Sequence, residues 1–558
     1  MKQSLKNILF VIIGLILVNV VAGLAFTRFD LTKDKRYTLS QTSEDILAQA
    51  KNTILIDVFL AGDFPDEFNK LQEETRQLLE EYEALNPNIN FNFINPVTAG
   101  ETVEIAAQRF VQGGMRPEQV QVRDNGKTTQ EIFFPWAVVS YEGRSIKVSL
   151  LKKALGATPD ELVSRSVQNL EYAFSDAFYK LLNPKSKRIA VLKGNGELQD
   201  GNIADFFATL RESYFIAPFP LDSIAQKPKA TFEALNKFDL IVAAKPTKPF
   251  TDAQKFALDQ YTMNGGKSLW LIDEVNMETD SLYNETGSTL AFPRELNLRD
   301  MFFQYGVRIN PSLVEDLYAA PIVLATGEAS ESRYSQMPWF YYLSVTSPEN
   351  HPINTNIDNP VRLRYASPID TLDNGIDKTI LLRSSQLSKV DGVPKIVSLE
   401  EISTDPDPKA FATAPQNLAV LLEGDFTSMY KDRVRPEEMD GLPFRASAIK
   451  PTKMIVVADG DIIKNDLGKN GEPLQLGFDR FTYTQYGNKE FLLNAVNYLL
   501  DDSGLINIRS KDIALPALDA QRAVEERGKW QALMLGLPLV FLAIFATVFI
   551  LLAKRRYR

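Results

Sequence analysis

The chain contains no cysteine and a single histidine, His351. Without cysteine there is no disulfide, no thiolate nucleophile and no Cys-ligated metal. An oxidising compartment is permitted by that absence but not indicated by it. One imidazole excludes a multi-histidine metal site. A Ser-His-Asp triad would have to be built on His351 itself. No long basic tract interrupts the middle of a chain whose net charge is −10, which argues against a nucleic-acid partner. Internal repeats and low-complexity tracts are lacking as well.

What the chain does have is two long uncharged apolar runs, one near each end. Residues 8–26, ILFVIIGLILVNVVAGLAF, carry one strongly polar side chain, Asn19. At the helical rise they span roughly 28 Å, about the thickness of a bilayer's hydrocarbon core. Residues 533–553, LMLGLPLVFLAIFATVFILLA, follow Trp530 and are closed by Lys554, Arg555, Arg556 and Arg558. Lys2 and Lys6 precede the first run, and Gly23-Leu24-Ala25 makes a passable cleavage site, so a signal peptide competes with a retained anchor. The run is longer than the usual apolar region of a signal peptide and favours the anchor. Two spans place both tails on one side and residues 27–529 on the other. The tails carry six basic residues in twelve, and that density favours cytoplasmic tails with an extracytoplasmic body.

Between the spans the chain, 558 residues in all, is long enough for two to four domains. The expected order is a cytoplasmic tail (1–7), a transmembrane helix (8–26), a juxtamembrane stalk (27–45), an α/β domain (46–185), a larger α/β domain (186–505), a juxtamembrane segment (506–529), a second transmembrane helix (530–553) and a tail (554–558). The stalk begins RFDLTKDKRYTLS, residues 28–40, whose charges nearly cancel and suit the headgroup layer. Thr42-x-x-Asp45 has the spacing of a capping box, which predicts a helix start there. From residue 53 the pattern reads strand (53–60), helix (66–85), strand (89–94), helix (101–112), several strands, and a long helix (160–182). That order resembles a thioredoxin-like domain, without the CxxC that redox chemistry needs. From RIAVLKG (188–194) strands and helices alternate, through FDLIVAAKP (238–246), a helix over 250–266 and KSLWLIDE (267–274). This predicts a parallel, doubly wound sheet. Residues 275–415 are less regular. LAVLLEGDF (418–426) and KMIVVAD (453–459) return to the sheet, and 489–500 is a closing helix.

Motifs that suggest chemistry fail on geometry. Gly265-Gly266-Lys267-Ser268 lacks the earlier glycine of a phosphate loop, because Tyr261 stands there, and it runs from helix into strand. Lys193-Gly194-Asn195-Gly196-Glu197 follows a strand, yet Gln199 replaces the third glycine of a dinucleotide fingerprint. Asp273, Glu274, Asp459 and Asp461 lie at strand ends, where ligands of open α/β sheets sit. Paired acids there suit cation binding or acid/base work, but no further ligand spacing supports them. His351 lies in a loop between Asn350 and Pro352. No catalytic, cofactor-binding or metal-binding residue is therefore assigned, and no cofactor is expected.

Three segments in order carry a family resemblance: residues 28–40, FDLIVAAKPTKPFTDAQKFALDQYTMNGGKSLWLID (238–273) and GNKEFLLNAVNYLLDDSGLINIRSK (487–511). Framed by the two apolar runs, they resemble the auxiliary proteins of gliding-motility ABC transporters (the GldG type). The resemblance implies a non-enzymatic subunit, often labelled substrate-binding, of the inner membrane with its body in the periplasm. Its implied partners are a separate ABC ATPase and a multi-span permease, in gliding or associated export. Two rival readings remain: a membrane-tethered hydrolase using Asp/Glu, and a structural link between transporter and motility machinery.

Overall fold

The computed structural model describes residue 14 and residues 38–556, apart from 63–67, 99, 125–126, 153–157, 327–332, 348–350, 356, 358, 404, 502–503, 506–507, 509–521 and 523–524. The expected first span and residues 28–37 of the opening stretch lie outside the described residues. The chain divides into two compact units, Met1–Asp512 and Ile513–Arg558.

The first unit begins with α1 (Gln41–Leu47). Its cap is Ser40, whose hydroxyl accepts the Ser43 N–H, not Thr42 as the spacing to Asp45 suggested. The reason is tertiary. The Ser40 N–H donates to buried Glu171 at 2.7 Å, and the Ser43 hydroxyl donates to the same side chain at 2.9 Å, so the helix starts where that acceptor reaches it. Then follow β1 (Ile54–Val58), α2 (Asn69–Leu85), β2 (Ile89–Phe93), α3 (Val103–Gln112), a hairpin of β3 (Glu118–Asp124) and β4 (Lys127–Phe133), β5 (Trp136–Tyr141), β6 (Arg144–Ser149) and α4 (Pro159–Leu182). The sheet order is β2-β1-β5-β6. β1 pairs parallel with β2, and β5 runs antiparallel to both β1 and β6. α2 buries Leu71, Thr75, Leu79 and Tyr82, a helical stripe that packs on α4. α4 itself opens with a complete capping box, Thr158 with Glu161, and Pro159 in its first turn.

After Asn183–Lys187 come β7 (Arg188–Lys193), α5 (Ala204–Leu210), β8 (Phe215–Pro220), α6 (Pro228–Leu235), β9 (Leu240–Ala244), α7 (Asp252–Met263), β10 (Lys267–Leu271) and α8 (Arg299–Tyr305). β11 (Asp377–Arg383), β12 (Asn417–Gly424), β13 (Thr452–Val457) and α9 (Asn488–Leu500) complete this part. Seven strands form one sheet in the order β11-β12-β13-β10-β9-β7-β8. The five from β8 to β13 in that order are parallel; β12 runs antiparallel to β13, and β11 runs antiparallel to β12 and so in the direction of the five. The sheet is therefore mixed rather than wholly parallel. Successive strand residues alternate between two cores. Val191, Val242 and Leu271 pack with α5 and α9, while Leu192, Ala243 and Trp270 pack with α6, α7 and α8. Both faces are covered, which is why β9 reads as an unbroken apolar run.

The stretch expected to be less regular, 275–415, holds antiparallel strands that range from two to thirteen residues. Val275–Asn276, Ser288–Pro293 and Lys395–Ser398 form one sheet; Ala319–Thr326, Arg333–Val345 and Val361–Arg364 form another. They share a core around Trp339, Tyr341, Tyr342 and Tyr365.

The second unit contains α10 (Arg527–Arg556), which includes the expected second span. It is long and apolar enough to cross a membrane. Its apolar side chains are uncovered, with Met534, Leu535 and Phe545 at 76%, 73% and 71% exposure. Lipid would cover such a surface.

Candidate functional site

The carboxyl ends of β9, β10 and β13 bring together the acids singled out in the sequence and add a cation that sequence reasoning missed. Lys245, directly after β9, has a left-handed backbone with φ of 55°. A non-glycine residue there is strained, and such strain clusters at functional sites and ligand clamps. Its ammonium is 3% exposed and meets Asp461 at 2.7 Å, Glu278 at 2.9 Å and Asp273 at 3.2 Å. Three N–H donors thus face three carboxylates. Burial alone would lower the Lys245 pKa, but the three carboxylates outweigh it and raise it. Burial likewise works against ionisation of Asp461, yet Lys245, Lys464 and Arg364 hold that carboxyl below its ordinary range. Asp273 is raised, chiefly by burial.

Asp459 is fully buried and accepts the N–H groups of Asp461 at 2.7 Å and Arg364 at 2.9 Å. Burial, with Asp273 and Asp461 nearby, pushes its pKa well up. Gly460 sits between the two acids because the space demands it. A Cβ there would lie 2.6 Å from Lys245 Cγ and 3.0 Å from Asp273 Oδ1. A second strained residue, Tyr365 with φ of 55°, borders the cluster. Its hydroxyl accepts from Trp339 at 3.2 Å and from Thr279 at 3.3 Å. Arg364 lies 5.2 Å over the Tyr342 ring, and Arg362 pairs with Asp479 and lies over Tyr486. Glu274 is buried against Arg299; burial outweighs that cation and pushes its carboxyl up to about 7.

The strand order changes direction between β7 and β9, where open α/β sheets bind ligands. Here two loops fill that crevice. The N–H groups of Thr247 and Lys248 both donate to the Asn195 carbonyl, at 2.9 and 2.8 Å. The Thr247 hydroxyl donates to the Gly196 carbonyl, and a Cβ on Gly196 would lie 2.2 Å from it. Gly194 and Gly196, both at positive φ, make the Lys193–Glu197 turn. The GGKS segment joins α7 to β10, with Gly265 at φ of 83° and Gly266 against the Tyr261 ring. His351 Nδ1 accepts the Ile353 N–H at 3.2 Å. That nitrogen would have to donate to a carboxylate in a triad. Among the described residues no group of three or more His, Cys, Asp or Glu is arranged to hold a metal ion. Lys245 stands where the acids would otherwise face one another.

A separate space opens between the two α/β domains. One cavity of about 520 Å³ is lined by residues of β6, α4 and α9 and by Tyr214, which follows α5. A second, of about 1180 Å³, shares Tyr172, Asp176, Lys180, Tyr214 and Asn497 with it. Tyr214 donates to Asn497 at 2.9 Å, and Lys180 pairs with Asp176 at 2.7 Å. Burial raises the Tyr214 pKa, with Asp176 and Tyr172 adding to it. Nothing in the sequence announced this cleft, because its walls are far apart in the chain.

The described residues thus comprise an α/β body and a helix long and apolar enough to cross a membrane. Residues 186–495 match the family described as ABC-type uncharacterized transport system; the chain belongs to that family and is an auxiliary protein of ABC-type transport. Residues 33–140 match a family described as a domain of unknown function. A protein of Borreliella burgdorferi, described as uncharacterized, is 20% identical over 506 residues, covering 90% of this chain and 88% of that one. The solved mmIFT52 N-terminal domain aligns over 57% of this chain and 99% of its own, at 11% identity and a TM-score of 0.31.

Proposed function

We propose that the chain is a non-enzymatic, double-anchored auxiliary subunit of an ABC transporter, with its body in the periplasm. On this reading it works with a separate ATPase and a multi-span permease of the inner membrane, in gliding motility or associated export. The observation that carries the proposal is the family match over residues 186–495 in a chain that ends in an exposed apolar helix. The gliding connection rests on the resemblance of residues 28–40, 238–273 and 487–511. The strand order β2-β1-β5-β6 supports a thioredoxin-like first domain over 46–185. The order of β7 to β10 and β13, with helices on both faces, supports a doubly wound domain over 186–505. The absence of enzymatic activity is supported by how Asp273, Asp459 and Asp461 are engaged. Each accepts from Lys245 or from main-chain N–H groups, so these three acids are engaged within the fold. A reporter active only outside the cytoplasm tests the placement. Fused after residue 300 it should give signal, and fused after Arg558 it should not. The reverse pattern would place the body in the cytoplasm and end the proposal.

A further inference from the structure

β6 is an edge strand of its sheet, paired on one side with β5. The two are joined by a two-residue turn, Glu142-Gly143, with φ of 48° and 77°. Such a turn makes its flanking residues, Tyr141 and Arg144, a hydrogen-bonded pair. Antiparallel pairs alternate, so Ile146 and Val148 also face β5 with their main-chain groups. The Leu150 N–H bond to Pro135 O, 2.8 Å, continues that alternation. The N–H and C=O groups of Ser145, Lys147 and Ser149 therefore point away from the sheet.

All six residues of β6 line the cleft between the domains, Arg144–Ile146 in the smaller cavity and Ser145–Ser149 in the larger. Successive strand residues point to opposite faces. A cavity touched by five consecutive residues must run along the strand's edge rather than over one face. Exposed edges are ordinarily hazards, blunted by charge or covered by a loop. This one carries Lys147 but is kept open inside a sheltered trough, with α4 on one wall and Tyr214 and Asn497 on the other.

We propose that the β6 edge receives an extended polypeptide segment of a partner protein as a fifth strand. Main-chain bonds to Ser145, Lys147 and Ser149 would hold it, the mode known as strand addition. A six-residue strand offers a contact about 20 Å long. One row of the guest's side chains would meet Tyr172 and Ala173 of α4, which favours apolar residues at alternate positions. This inference stands on the edge geometry and does not depend on the transporter role.

The test uses the full chain in mild detergent and a short peptide of alternating Thr and Val with Lys at both ends. Hydrogen exchange should slow by about tenfold at Ser145, Lys147 and Ser149 when the peptide is added. A copy of the peptide N-methylated at alternate residues should give no protection. Lys147→Pro removes an N–H that has no partner among the described residues, and proline is tolerated on a free edge. It should keep the wild-type melting temperature and lose peptide binding. Absence of protection at saturating peptide, or equal binding by Lys147→Pro, would overturn the proposal. So would a dimer dissolved by Lys147→Pro, which would make the occupant a second copy of this chain.

Discussion

Where β9 ends, the backbone turns through a left-handed residue, and the residue chosen is a lysine rather than glycine or asparagine. The strain is retained because the ammonium it delivers joins three acids from separate segments. Lys245→Met should cost about 3–5 kcal/mol, since the acids stay buried without their cation. Chemical denaturation of the full chain in detergent would measure it. Because the Asp461 pKa is depressed in the folded state, its contribution is present above the ordinary carboxylate range and fades as pH falls. The gap between Lys245→Met and wild type should narrow accordingly in acid. Glu274 has the opposite sign. Its pKa rises from the ordinary 4.5 to about 7, so the folded state holds a proton that the unfolded state has lost. Stability should therefore decline as pH rises through that window, by up to about 3 kcal/mol. Glu274→Gln should flatten the decline; an unchanged slope would show that Arg299 dominates instead.

α1 is too short to be stable alone. It is held by a small buried network: Ser40 N–H and Ser43 Oγ to Glu171, Ser43 to Ser175, and Ser175 to Tyr82. Glu171→Ala should lower stability by about 1–3 kcal/mol, because one buried and one half-buried donor lose their acceptor. Limited proteolysis near residue 40 should speed up, whereas Glu171→Gln, which keeps an acceptor oxygen, should lose less. Equal effects of the two changes would argue against the network. The same element shows where sequence reading falters. The helices α4 and α7 are legible because their caps, Thr158 and Thr251, are local, and α2 because its apolar stripe is. The Ser40 cap is set by a residue 131 positions away. β8, FIAPFP, carries two prolines and does not read as a strand, yet it lies at the sheet edge, where proline is tolerated. Between 275 and 415 some strands are too short to show alternation, such as Val275–Asn276 and Ile369–Thr371, and the longest, Arg333–Val345, alternates over only part of its length. At the carboxyl edge the acids were visible as strand ends, but Lys245 closes the apolar run FDLIVAAKP, and no local pattern ties it to them. Three acids ending neighbouring strands of one buried sheet was the signal that a counter-ion had to be near.

At the scale of the whole molecule, the chain couples a largely closed carboxyl edge to an open cleft between domains. The edge is tied by ion pairs and main-chain bonds, so it suits a scaffold. The cleft offers a free strand edge and volume, so it suits docking. α10 brings a surface of exposed apolar side chains. These features fit a subunit that works through partners rather than through chemistry of its own. Affinity purification of the full chain in mild detergent, followed by identification of what accompanies it, tests that claim most directly. The account predicts enrichment of an ABC ATPase together with a multi-span permease. Recovery of the chain alone, from cells shown to make both partners, would contradict it.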